Sequence, residues 1–106
     1  MSSAVLLFTT VDSEAAAQAM ARAAVGERLA ACVQIGRVSS VYRWKGETEE
    51  AAEWVCQFKT TPERIEALTA RILALHTYQV PEIMTVPVLT GYPPYLQWVA
   101  DSVGEV

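Results

Sequence analysis

The order in which hydrophobic periodicity changes along the chain constrains the fold most strongly. An apolar, β-branched run from Ala4 to Thr10 precedes a stretch with helical spacing, and two further strand-like runs precede a second helical stretch. One more strand and a short helix complete the chain. The order βαββαβ predicts a ferredoxin-like α+β sandwich, in which right-handed crossovers place both helices on one face of a four-stranded antiparallel sheet. At 106 residues, we expect a single domain spanning 1–106.

Local signals place the two main helices. Asp12 or Ser13 is a typical N-cap for the first helix. The spacing from Thr60 to Glu63 predicts a capping box at the start of the second helix, where Pro62 is tolerated because its missing N–H would have no partner. The predicted helices span about Ser13–Arg28 and Pro62–Leu75.

The two central strand runs predict a long antiparallel hairpin. The first run contains Gly36, which favours a bulge or bend, and the segment 45–48 makes a plausible turn into the second run. The last strand, predicted over 82–87, ends in Pro87, and a proline is tolerated mainly at a sheet edge. The first strand has apolar residues on both faces, whereas the helices cover only one face of the sheet. We therefore expect the other face to be covered in a closed symmetric oligomer.

Charge and cysteine content restrict the partners and the compartment. Eight Lys and Arg against twelve Asp and Glu give a formal charge of −4, with no basic cluster. Nucleic acid and anionic membranes are therefore poor partners. Cys32 and Cys56 are expected to be reduced thiols rather than a disulfide, and the N-terminal segment has no basic region or long apolar run typical of a signal peptide. The sequence indicates a cytoplasmic protein.

Five segments then resemble, in order and spacing, the signature segments of the CutA divalent-ion tolerance family. They are Leu29-Ala30-Ala31-Cys32-Val33, Tyr42-Arg43-Trp44-Lys45-Gly46, Lys59-Thr60-Thr61, His76-Thr77-Tyr78-Gln79-Val80-Pro81-Glu82-Ile83 and Tyr95-Leu96-Gln97-Trp98. The resemblance implies a homotrimer similar in architecture to PII signalling proteins, without an assigned catalytic activity. It also implies an association with tolerance to copper and other divalent ions.

The resemblance also selects candidate metal ligands. Proposed copper ligands in relatives are a Cys in the first strand and two adjacent His after the second helix, but Phe8 and Leu75 stand at two of these positions. His76 remains as a candidate ligand, with Cys32 as a weaker one. Since metal sites usually need three or four ligands, we expect only weak binding of Cu(II) or another divalent metal. The alternative for His76 is a structural role at the helix C-terminus.

Other side chains are candidates for a ligand pocket or a subunit interface. Lys59 and Glu82 are expected to meet near His76 and Tyr78, as a functional group or as a structural ion pair. An aromatic cluster is predicted near the hairpin, and such groups are more often interface anchors than ligand platforms. Its members are Tyr42, Arg43, Trp44 and Trp54.

Three functions follow from these patterns. The first is a non-enzymatic homotrimer involved in divalent-metal tolerance, through weak metal binding or signalling. The second is a PII-like sensor that binds a metabolite or nucleotide in clefts between subunits, although no Gly-rich phosphate loop supports it. The third, which ranks lowest, is an enzyme using Lys59, His76, Tyr78 and Glu82 as acid–base groups.

Overall fold

The computed structural model describes residues 3–104, which form four strands and three α-helices in the predicted order. The elements are β1 (Val5–Val11), α1 (Glu14–Gly26), β2 (Cys32–Trp44), β3 (Glu47–Thr60), α2 (Ile65–Leu75), β4 (Met84–Pro87) and α3 (Pro93–Val103), with a short 3-10 turn at Pro62–Arg64 before α2.

The sheet has the strand order β2-β3-β1-β4, and all its neighbouring strands are antiparallel. This is the order of a ferredoxin-like α+β sandwich, so the predicted fold class is confirmed. Edge strand β4 is shorter than the predicted segment 82–87, and its last residue, Pro87, is paired with Val5.

The core lies between the sheet and the helices α1 and α2. Alternate residues of β1 and β3, including Leu7, Cys56 and Phe58, point to this side and are fully buried. They join one hydrophobic cluster with Met20 of α1 and Leu68 of α2. Since both helices contribute to the same cluster, they cover the same face of the sheet, as the sequence predicts.

The helix starts differ in how well they were predicted. The Ser13 side chain accepts a hydrogen bond from the Ala16 N–H and caps α1. The predicted capping box at Thr60 is wrong, because the Thr60 hydroxyl is fully buried and donates instead to the Leu29 carbonyl at 2.7 Å. The Thr60 hydroxyl therefore bonds to a distant part of the chain and does not cap the second helix. That helix is preceded by the 3-10 turn.

The bulge predicted at Gly36 is also wrong. Gly36 pairs with Val55 within a register that continues unbroken from Cys32–Lys59 to Trp44–Glu47. The turn of this hairpin has two residues, Lys45 and Gly46, both with positive φ. Positive φ at both positions is typical of a tight type I′ turn, which suits the twist of the flanking strands.

Half of this hairpin projects beyond the rest of the sheet. Strand β1 pairs with β3 only as far as Trp54, whereas β2 and β3 continue with seven more pairs, from Val38–Glu53 to Trp44–Glu47. We call the segments 38–44 and 47–53 the hairpin arm. The arm accounts for the elongated shape, 46 × 25 × 21 Å.

Two arginines hold the C-terminal end of α3. Arg28 donates to the Gly104 and Asp101 carbonyls, with its shortest contact at 2.8 Å, and Arg64 donates to the Val103 carbonyl at 2.7 Å. Cations at a helix C-terminus satisfy its last carbonyls and complement the helix dipole. Among residues 3–104, no helix is long and apolar enough to cross a membrane.

Candidate functional site

His76 ends α2, and both of its ring nitrogens are used inside the chain. Its Nδ1 accepts a hydrogen bond from the Tyr78 N–H at 3.2 Å, so the proton of the neutral ring lies on Nε2. Nε2 donates to the Thr10 carbonyl at 2.9 Å and lies 3.2 Å from the Thr9 hydroxyl. The ring therefore fixes the segment after α2 against the end of β1, and metal binding would have to displace one of these contacts.

Tyr78 follows His76 and joins it to a buried carboxylate on the hairpin. Its hydroxyl donates to Glu53 Oε2 at 2.7 Å, and its ring lies 4.8 Å from the His76 ring. Glu53 is only 7% exposed. Burial raises the pKa of the Tyr78 phenol above its usual range, and the hydrogen bond to Glu53 and the nearby charges of Glu53 and Asp12 raise it further. The phenol therefore stays protonated as a donor over the physiological range.

The two candidate metal ligands do not lie together. The neighbours of His76 are at Thr9 and Thr10 of β1, whereas Cys32 pairs with Lys59, which itself pairs with Leu6. Three or four residues of strand separate these levels, about 10–13 Å. Across residues 3–104, no three His, Cys, Asp or Glu side chains are grouped so that they could hold a metal ion.

The two cysteines are both free thiols. Cys32 and Cys56 alternate onto opposite faces of the sheet, which separates their side chains. Burial raises the pKa of the Cys56 thiol to about 11, so it behaves as a small core residue. Cys32 is partly exposed.

Lys59 does not meet Glu82 within the chain. The Lys59 ammonium contacts Tyr95, 3.3 Å from its hydroxyl and 5.5 Å from its ring centre. Glu82 is exposed and precedes β4, whose first residue, Met84, lies opposite Phe8, toward the other end of β1 from Lys59. The predicted group of four is therefore divided, with His76 and Tyr78 at one end of β1 and Lys59 at the other.

The predicted aromatic cluster is divided as well. Trp54 is partly buried against the core at the base of the hairpin, with the Arg37 guanidinium 5.8 Å above its ring. Tyr42 and Trp44 lie near the tip of the hairpin arm, on the opposite face of the sheet, and are exposed. Arg43 is exposed too, but it lies on the same face as Trp54, so the cluster does not form one surface.

The face of the sheet opposite α1 and α2 carries four of these candidates, Cys32, Tyr42, Trp44 and Lys59. We call it the open sheet face. The helices cover the other side of the sheet. On the open sheet face, the apolar side chains of β1, β4 and the inner half of the hairpin are half-buried or exposed. Its strand residues are Leu6, Phe8, Thr10, Cys32, Gln34, Gly36, Val38, Ser40, Tyr42, Trp44, Glu47, Glu49, Ala51, Glu53, Val55, Gln57, Lys59, Met84 and Val86.

Sequence reasoning missed Glu53 and the two threonines of β1 as parts of the site. A glutamate in an alternating strand ordinarily lies in solvent, and nothing in the local pattern brings Tyr78 over it. The available signal was the apolar face of β1, which indicated that polar residues on neighbouring strands would be partly covered.

A four-stranded antiparallel sheet with both long helices on one face and an exposed second face defines the class of ferredoxin-like α+β sandwich proteins. Residues 5–102 match the family model described as CutA1 divalent ion tolerance protein. The chain belongs to this family.

Several known proteins are similar to this chain in both sequence and structure. A divalent-cation tolerance protein CutA from Thermus thermophilus is 44% identical over 93% of this chain and 97% of its own length. A solved divalent cation tolerance protein from the same organism superimposes with a TM-score of 0.92, at 42% identity over 95% of this chain and 99% of that one. CutA from Synechococcus elongatus gives a TM-score of 0.93 at 36% identity over 98% and 93% of the two chains.

Vertebrate relatives are longer. The Xenopus laevis CutA homolog is 39% identical over 92% of this chain, which spans 66% of its length, and the mouse CutA protein is 44% identical over 87% of this chain, which spans 52% of its length.

Proposed function

We propose that this chain is a non-enzymatic, homotrimeric divalent-cation tolerance protein of the cytoplasm that binds divalent metals such as Cu(II) only weakly. The observation that carries the proposal is the open sheet face, whose apolar side chains require a partner in a chain that otherwise matches the family along residues 5–102. The free thiols of Cys32 and Cys56 suit a reducing compartment.

Assembly is supported by the long unpaired edge of β2 and by the hairpin arm. Val41, Tyr42 and Trp44 are exposed near its tip, and exposed edges with such residues favour pairing with another chain. A closed ring of identical copies would cover these groups without leaving a free edge.

Weak metal binding is supported by the surroundings of His76. Metal bound at either ring nitrogen would replace the Tyr78 N–H or the Thr10 carbonyl as the partner, and His76 has no neighbouring Cys or Asp/Glu group that completes three ligands in the described chain. A lone imidazole leaves selectivity to the general affinity order of the metals, which favours Cu(II).

Sedimentation equilibrium tests the assembly. We expect a trimer at micromolar concentration, a weaker trimer for Trp44→Ala, and little change for the matched arm variant Thr48→Ala. A monomeric wild type would contradict the proposed trimer. If Trp44→Ala has the same average mass in solution as wild type, the interface does not include the tip of the hairpin arm.

Calorimetric copper titration tests the metal. Wild type and His76→Ala are compared at two pH values, with Cys32→Ala as the control for thiolate binding. We expect a small heat of binding that is lost in His76→Ala and is smaller at the lower pH, because protons compete with metal ions for an imidazole nitrogen. Tight binding that survives His76→Ala would place the site elsewhere.

A thermal-shift screen with nucleotides would reveal a PII-like sensor if one of them stabilises the trimer strongly.

A further inference from the structure

The open sheet face contains a buried negative charge without a positive partner. Glu53 is 7% exposed, and within residues 3–104 the one hydrogen bond to its carboxylate comes from the neutral hydroxyl of Tyr78. The single ion pair among residues 3–104 joins Arg71 to Glu27, far from this face. A carboxylate withdrawn from water is costly unless a cation compensates it, and the charge of Asp12 near Tyr78 makes the surroundings more negative.

The same face contains one cation with neutral neighbours only. Lys59 is its single Lys or Arg among the described strand residues, since Arg37 and Arg43 alternate onto the helix side. The Lys59 ammonium contacts the hydroxyl and ring of Tyr95. Six residues of β3 separate Lys59 from Glu53, roughly 20 Å along the strand, so the two cannot pair within one chain.

We propose that Lys59 of one copy pairs with the Glu53 carboxylate of the next copy when the open sheet faces meet. In a cyclic trimer each copy gives its carboxylate to one neighbour and its ammonium to the other, so all three pairs form with no charge left over. The inference rests on the proposed homotrimer and names the contact that fixes its register. Tyr78 is then a positioning residue, because its hydroxyl donates to the carboxylate, and His76 acts through Tyr78 by accepting a hydrogen bond from its N–H.

A double-mutant cycle on trimer dissociation tests the pair. The chains compared are wild type, Glu53→Gln, Lys59→Met and the double variant, with dissociation followed by sedimentation velocity over a dilution series. Gln keeps an acceptor for the Tyr78 hydroxyl, and Met keeps the apolar stem of the lysine. Glu66→Gln and Arg22→Met are matched controls, because they remove exposed charges of α2 and α1, on the other side of the sheet.

We expect each single variant to raise the trimer dissociation constant at least about tenfold and the double variant to be much less than additive. The controls should change it less than about threefold. Additive effects in a trimeric wild type would overturn the pair while leaving the homotrimer intact, and Glu53 would then face another cation. A monomeric wild type would overturn the homotrimer itself.

If circular dichroism shows that Glu53→Gln does not fold, a comparison of two Lys59 variants still tests the proposed pair. Lys59 is partly exposed, so Lys59→Met and Lys59→Arg should both fold. The arginine variant should assemble within about threefold of wild type and the methionine variant at least about tenfold more weakly. Equal dissociation constants for the two variants would overturn the pair.

Discussion

The two halves of the long hairpin have the same backbone structure and opposite surroundings. Between Cys32–Lys59 and Arg37–Trp54 the strands are packed against helices or flanked by β1, and Cys56 and Phe58 are fully buried. Beyond that level the hairpin arm continues in the same register, and its outer segments 41–44 and 47–50 are exposed throughout, with Val41 at 67%. Backbone pairing alone therefore does not account for the arm, because a two-stranded ribbon is marginal in water without further packing. The arm has the form of an element that another chain completes.

The test with the largest expected effect compares the substitution of one residue from each half of the hairpin. Phe58→Ala should reduce the free energy of unfolding by about 3–5 kcal/mol, because it leaves a cavity in the core. Val41→Ala on the hairpin arm should change the stability of the isolated chain by no more than about 0.5 kcal/mol. Urea unfolding of both variants under conditions that keep the chain monomeric checks this. A comparable loss for Val41→Ala would mean that the arm is already packed in one chain.

Tyr78 lies where the two halves meet, and its loss should have an intermediate effect. Tyr78→Phe removes the only hydrogen bond that the described part of the chain gives to the Glu53 carboxylate, and it should cost about 1–3 kcal/mol of stability. Tyr92→Phe is the matched control, because that ring is exposed and its hydroxyl makes no hydrogen bond to any residue of 3–104. Chemical denaturation at neutral pH measures both. If both variants lose equally little stability, the Glu53 carboxylate is stabilised by a group other than the Tyr78 hydroxyl.

The sequence predicted the packed half well and the junction poorly. Alternation of Cys56 and Phe58, the Ser13 cap and the edge position of Pro87 follow from local rules, and the structure confirms them. The Thr60 hydroxyl and the Tyr78–Glu53 pair depend on residues 31 and 25 positions away, which no local pattern encodes. For the same reason Trp54 and Trp44 looked alike in sequence, although one contacts the core and the other is exposed at the arm.

Alkaline pH should destabilise the chain, in part through Cys56 in the packed half. The pKa of the Cys56 thiol is raised from 9.0 to about 11 by burial, so its contribution to stability is fully present below pH 9 and is lost as the pH rises toward 11. By pH 10 the loss should be about 1 kcal/mol. Denaturation at pH 8 and pH 10 checks this, with Cys56→Ala expected to show a smaller decrease. Cys32→Ala, the matched control, should retain the full decrease, and a decrease of equal size in all three proteins would assign the effect to other groups.

The smallest expected change in the isolated chain is at Gly36, on the open sheet face of the packed half, two residues before the hairpin arm begins. Its φ does not require glycine, and an added Cβ would lie 3.8 Å from Val55 Cγ1, an ordinary contact. A strand-interior glycine without such a requirement costs roughly 0.5–1 kcal/mol relative to alanine, so Gly36→Ala should leave the monomer unchanged or slightly more stable. A glycine of this kind often marks close approach of another backbone. We therefore expect Gly36→Ala to weaken the trimer while the monomer retains its unfolding midpoint. Urea midpoints and sedimentation velocity measured on the same samples separate the two effects. A variant that assembles as well as wild type would show that the neighbouring copy does not approach the sheet at this position, and the contact would then lie farther along the hairpin arm.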